Sequence, residues 1–256
     1  MTTTLERQIN LQHIEGTDTY TASWHGDWTV GPATCTNFDQ PLGPSVSNAW
    51  TGLLPPVKPK PDFARILEHK PDENWVPCLL KGEVIPMTGR ILGLYPRGGF
   101  VAPAICDSWH GFQGDERIDE TYLAWMTDFI PSMSDTLLQN GGLYDAHVFQ
   151  QKAAQWADEH PGVTCQTTNT LAEAVKSVIF NNTLTIDIEY KRALPKEGLR
   201  FVLMRTAANL LSGGRMNIEI TFCNEDMELV ATARQSILVL EAARKFGEKK
   251  KRPEKI

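Results

Sequence analysis

Three of four strand-like segments between residues 183 and 240 alternate with a period of two. In "TLTIDIEYKR", Leu184, Ile186, Ile188 and Tyr190 alternate with Thr183, Thr185, Asp187, Glu189 and Lys191. In "RMNIEITF", Met216, Ile218, Ile220 and Phe222 do the same. "LRFVLMRTAANLL" reads as a further strand, and "LVATARQSILVL" returns after a hairpin turn at "CNEDME". "SGG" at 212–214 is a turn before a strand. Side chains of a strand point alternately to opposite faces, so this pattern demands a half-buried antiparallel sheet.

One member of the last strand breaks its pattern. Leu229, Ala231, Ala233, Ile237 and Val239 share a parity, and so does Gln235. That places an amide on the apolar face, where going without partners costs about 1–3 kcal/mol. A glutamine at such a position needs a reason.

Upstream, "DERIDETYLAWMTDFIPSM" reads as a helix with Ile118, Tyr122, Trp125, Met126 and Phe129 on one face. Asp115 or Asp119 can cap it, and Pro131 limits it. "DAHVFQQKAAQWADEHPG" and "TLAEAVKSVIF" are further helical segments. "GEVIPMTGRILGLYP" reads as a strand with Pro86 at an edge or bulge, and "YTASWHGDWTV" as a strand-like piece. "PPVKPKP" is an extended linker, because proline fixes φ and lacks the donor. A helix followed by consecutive antiparallel strands predicts an α+β fold with the helix on one sheet face.

The composition narrows the function. A net charge of −6 argues against nucleic acid as the partner, and the basic "KKKRPEKI" reads as a solvated tail. No apolar run approaches the roughly 20 residues of a membrane helix, and "MTTTLERQIN" carries no signal-peptide pattern. Five scattered cysteines without a CxxC predict reduced thiols in a cytoplasmic protein. The six histidines show no paired-ligand spacing, so neither a zinc site nor a cofactor is expected. GxGxxG, the P-loop and GxSxG are all missing from the sequence. "CDSWHGF" invites a Cys–His nucleophile reading, which its spacing does not support.

"LAWMTDFIP", "TLTIDIEYKRALP" and "ELVATARQSI", in that order, resemble the C-terminal half of the acyl-CoA thioesterase II type of double-hotdog protein. Within it they resemble the fungal branch called thioesterase-like superfamily proteins. "GPSVSNAW…LPP…DF…DENW" resembles that branch's segment between the two hotdogs. The resemblance implies a hotdog, an antiparallel sheet wrapped around a helix, and hydrolysis of an acyl-CoA or carrier-bound acyl thioester in lipid or secondary metabolism. It also implies three site residues: Asp128 from the helix, Thr183 at the start of a strand and Gln235 on the last strand. Asp128 is then the base for an attacking water, Thr183 supports it, and Gln235 orients the water. The Gln235 amide or a backbone N–H meets the carbonyl oxygen. Gln235 on the apolar face is thereby explained.

Read singly, each residue has an ordinary explanation. Asp128 can be a solvated carboxylate, Gln235 an edge amide and Thr183 a strand opener, whose parity is that of the polar residues. Lys191 and Arg192 beside the site either meet CoA phosphates or form a solvated face. The alternative function is a catalytically silent hotdog that binds an apolar metabolite or a partner subunit.

The early strand "SWHGDWTVGP" runs at once into "ATCTNFDQPLGPSV", which resembles the end of a first hotdog. The expected layout is a reduced N-terminal remnant (1–54), a Pro-rich linker (55–75), a complete hotdog (76–244) and a basic tail (245–256). The junction falls near Pro32–Ala33, from a reduced domain or a lost exon. A lone second hotdog leaves a sheet edge and an apolar flank open, which predicts a homodimer with the pocket near its interface.

Overall fold

The computed structural model describes residues 55–83, 85–129, 131–139, 144–174 and 176–241, with Leu53, Gly141 and two short strands, β1 (Gln12–His13) and β2 (Tyr20–Thr21). Residues 1–45 and 46–256 form separate compact units. In the first, β1 and β2 pair antiparallel. The remainder of the expected N-terminal remnant, its Pro32–Ala33 junction, Cys35 and the basic tail lie outside the described residues.

The second unit is built on one eight-stranded sheet. Its strands are β3 (Trp75–Gly82), β4 (Ile91–Pro96), β5 (Ile105–Phe112), β6 (Cys165–Asn169), β7 (Ile179–Tyr190), β8 (Phe201–Ser212), β9 (Arg215–Cys223) and β10 (Leu229–Glu241). They lie in the order β6-β3-β4-β5-β8-β9-β10-β7. All neighbours are antiparallel except β3 and β6. The run β5-β8-β9-β10-β7, with a helix between its first two strands in sequence, is a hotdog. The fold is α+β, as the sequence predicts.

Among the described residues five helices accompany the sheet: α1 (Phe63–Leu67), α2 (Glu120–Met126), α3 (Met133–Leu138), α4 (Ala146–Glu159) and α5 (Leu171–Ala174). One sheet face packs Met204, Met216, Ile218, Ile220 and Phe222 against Leu123 and Met126 of α2. The other face packs Trp109, Phe201 and Leu203 against Ile66 of α1. The segment expected as a linker lies on that face. Phe63 stacks on Phe201 at 4.2 Å, and Trp75 donates its indole N–H to the Pro59 carbonyl at 2.6 Å. α4 covers the β3–β6 end through Ala153 and Ala157. A buried two-pronged ion pair joins β5 to β8, Arg205 to Asp107 at 2.6 and 2.7 Å.

Several elements differ from the sequence expectation. The long helix is only seven residues. Asp119 caps it by accepting from the Tyr122 N–H at 2.8 Å. At its far end the Thr127 hydroxyl turns back onto the Ala124 carbonyl, and i→i+3 bonds carry the chain to Phe129. Pro131 then precedes a fresh helix start at Ser132, whose side chain bonds Asp135. "TLAEAVKSVIF" is helical only over Leu171–Ala174, because Ile179 and Phe180 pair with β10. "GEVIPMTGRILGLYP" divides into the end of β3, a 3₁₀ turn at Pro86–Arg90 and β4. β3, β5 and β6 are strands beyond those the sequence pattern predicts. β5 is buried on both faces, so it has no polar alternation to read. Pro77 sits where β3 has only β4 as a partner.

The turns read from the sequence are in place. Gly213 and Gly214, both at positive φ, link β8 to β9 in a two-residue hairpin. Asn224 closes the turn before β10 by accepting from the Asp226 and Glu228 N–H groups.

β7 carries the irregularity that matters. Gln235 pairs with Ile186 and Ser236 with Thr185, but Ile237 pairs with Thr183. Leu184 is therefore an extra residue, a β-bulge. Residues opposite one another share a face. The bulge turns Thr183 and Asn181 onto the face of Gln235 and Ile237, while Leu184 is 44% exposed. Without it, every residue on the Asn181 side would face the other way.

Candidate active site

Gln235 lies on the buried face of β10 and is 2% exposed. Its Nε2 donates to the Thr127 carbonyl at 2.8 Å and, more loosely, to Asp128 Oδ1 at 3.5 Å. The first acceptor is one of the carbonyls that the end of α2 leaves open. The Gln235 Oε1 atom is buried and has no partner within the protein.

Asp128 is exposed at the mouth of the site, in the turn that ends α2. Its Oδ1 also accepts from the Thr183 hydroxyl at 3.4 Å. Both contacts to Asp128 are long, as catalytic hydrogen bonds often are before substrate tightens them. Asp128, Thr183 and Gln235 thus meet at one point. They line a cavity of about 420 Å³ with Asn181, Ser132 and Ile237.

The parity of Thr183, which the alternation assigns to the polar face, is reversed by the bulge. Asn181 turns inward with it. Its Oδ1 accepts from Ser134 Oγ at 2.8 Å, and its Nδ2 donates to Ser132 Oγ at 3.0 Å. β7 is thereby tied to the start of α3. The Gln235 Nε2 is engaged by Thr127 and Asp128, which leaves Oε1 as the end of the amide without a partner within the protein.

A second cavity of about 390 Å³ adjoins the first, and Asp128, Pro131, Ser132 and Tyr144 line both. On its wall Ser108 Oγ and His110 Nε2 lie 2.7 Å apart. Both belong to "CDSWHGF", and with Cys106 they share one face of β5. Cys106 lies beside the Met133 sulfur instead, at 3.4 Å. Burial pushes its thiol well up, so it has no thiolate character. The four described cysteines are free.

Lys191 and Arg192 are not beside the site. Eight residues of strand separate Lys191 from Thr183, roughly 26 Å at 3.3 Å per residue. Lys191 pairs with Glu189 at 2.5 Å, and Arg192 pairs with Glu228. Among the described residues no three or more His, Cys, Asp and Glu side chains gather to hold a metal, and no helix is long and apolar enough to cross a membrane.

The model of the acyl-CoA thioesterase C-terminal domain family matches residues 38–239. The chain belongs to that family. A relative of this acyl-CoA thioesterase domain, the thioesterase-like protein TwmA of Talaromyces wortmannii, is 24% identical over 219 residues. The match covers 84% of this chain and 60% of TwmA, so the chain spans about three-fifths of that relative's length. Among solved structures, a hot dog fold protein of unknown function from Alicyclobacillus acidocaldarius is 14% identical with a TM-score of 0.40, covering 60% of this chain and 47% of that one. A thioesterase from Haemophilus influenzae is 11% identical with a TM-score of 0.34, covering 56% and 77%. Both superpositions are loose, and the hotdog assignment rests on strand order.

His110 gives the site a pH signature. Burial pushes its imidazole down to about 3. In the unfolded chain the same group protonates near 6.5. Between these values the unfolded state binds more protons, so stability rises with pH. The contribution is full above about pH 6.5 and is lost as pH falls toward 3. Thermal melts of the wild type should fall across that window. They should fall less steeply in His110→Gln, and equal slopes would contradict the burial argument.

Proposed function

We propose that this domain hydrolyses acyl thioesters of CoA or of a carrier, with a water activated by Asp128, Thr183 and Gln235. Family membership supports the reaction class. The observation that carries the reading is the buried, unpartnered Gln235 Oε1 beside the Asp128 carboxylate. An attacking water needs two acceptors for its protons and a lone pair left free for the carbonyl carbon. Asp128 and Gln235 Oε1 supply those acceptors, and the Thr183 hydroxyl holds the carboxylate in place.

The water oxygen bonds to the carbonyl carbon while Asp128 takes a proton. The C–S bond then breaks, and the departing sulfur takes that proton back. The products are the acid and the thiol. The expected setting, a fungal cytoplasm and lipid or secondary metabolism, belongs to the same proposal, as does the division into remnant, linker, hotdog and tail.

Incubation with medium- and long-chain acyl-CoAs should release thiol. Asp128→Asn should lower that rate by about 10²–10⁴-fold, the usual worth of a general base. A rate no higher than the variant's would leave the silent-hotdog reading in its place.

A homodimer is the second part of the proposal. Among the described residues β7 pairs only with β10, and it carries the exposed Leu184 and Ile186. An open edge with apolar side chains favours pairing with another copy, which would bring the Asp128 pocket toward a two-fold axis. Sedimentation at micromolar concentration should give twice the protomer mass. A monomer without concentration dependence would refute the edge argument.

A further inference from the structure

A second glutamine breaks a buried stripe. Ala146, Gln150, Ala153 and Ala157 recur at helical spacing along α4 and are all buried. Gln150 is 5% exposed, and neither its Oε1 nor its Nε2 has a partner within the protein. Such an amide offers an acceptor and two donors. Buried groups of this kind are met by water or by a ligand.

Gln150 lines the 390 Å³ cavity that adjoins Asp128. Leu80, Ile85, Phe100, Phe129 and Met204 make most of that cavity apolar. Two further atoms on its lining residues are buried without a partner, His110 Nδ1 and Thr167 Oγ1. The volume suits a small organic group. A plain alkyl chain in this cavity would leave the buried Gln150 amide without a hydrogen bond. A chain with a hydroxyl or carbonyl oxygen part-way along can supply one. Sites with polar groups placed for a substrate oxygen reject the analogue that lacks it.

We propose that this cavity takes the acyl group, and that Gln150, with Thr167 and His110, selects acyl chains bearing a hydroxyl or oxo substituent over unsubstituted ones. The proposal rests on the hydrolytic reading only for which end of the ligand meets Asp128. Its test is therefore a binding measurement.

Calorimetric titration of the Asp128→Asn protein with dodecanoic acid, and with dodecanoic acids hydroxylated or oxidised to a ketone at successive positions, reads the preference without turnover. At least one oxygenated acid should bind about tenfold or more tighter than the plain acid. Adding Gln150→Leu should close most of that gap. Adding Gln150→Met, which keeps the length of the side chain, should do the same if the leucine variant fails to fold. Plain acid binding as tightly as every oxygenated one, a gap that survives both substitutions, or no binding of any acid would overturn the proposal. A gap that Gln150 controls, found together with no thiol release from acyl-CoA, would support this proposal and remove only the hydrolytic reading.

Discussion

The hydrogen bond from Gln235 Nε2 to the Thr127 carbonyl joins the last strand of the sheet to the end of its helix. Three consequences follow from that one contact. It satisfies a carbonyl that the short helix leaves open, so α2 can stop against the sheet without a buried orphan. It fixes the next residue, Asp128, at the mouth of the site. It also leaves Oε1 as the end of the amide without a partner within the protein. The cost of an amide on an apolar face is thus offset at one end and left open at the other. That asymmetry suits the water-holding role proposed for the site.

The second constraint is the register of β7 on β10. A regular ladder would face Leu184 and Asn182 inward and Thr183 outward. The bulge exchanges them. Thr183 then reaches Asp128, and Asn181 reaches the cap of α3. One extra residue in an edge strand therefore sets both the hydroxyl beside the carboxylate and the anchoring of the next helix. Bulges commonly re-aim side chains next to functional sites in this way.

How much of this the sequence reveals depends on what each element faces. β9 and β10 alternate between buried and more open residues, so their period is plain in the sequence, and it places Gln235 on the buried face. β3 and β5 are buried on both sides and show no period, so the strand that sets Ser108 beside His110 is not legible in "CDSWHGF". The pattern of α2 reads longer than the helix because its apolar spacing continues to Phe129, through a turn that Thr127 and Pro131 end. The inward turn of Thr183 is not local information at all. It depends on which β10 residue sits opposite, and no pattern within "TLTIDIEYKR" encodes that. Gln150 is the reverse case: Ala146, Gln150, Ala153 and Ala157 show the same kind of break as Gln235, at helical rather than strand spacing, and that break is legible in the sequence.

In the proposed reaction Asp128 and Thr183 act as one unit on one water. A double-substitution cycle on thioester hydrolysis measures this directly, with Asp128→Asn, Thr183→Val and the pair compared by kcat/KM. Residues that act as a unit lose their effects together. The paired variant should be no slower than Asp128→Asn alone. Losses that multiply, as for two independent sites, would contradict the account.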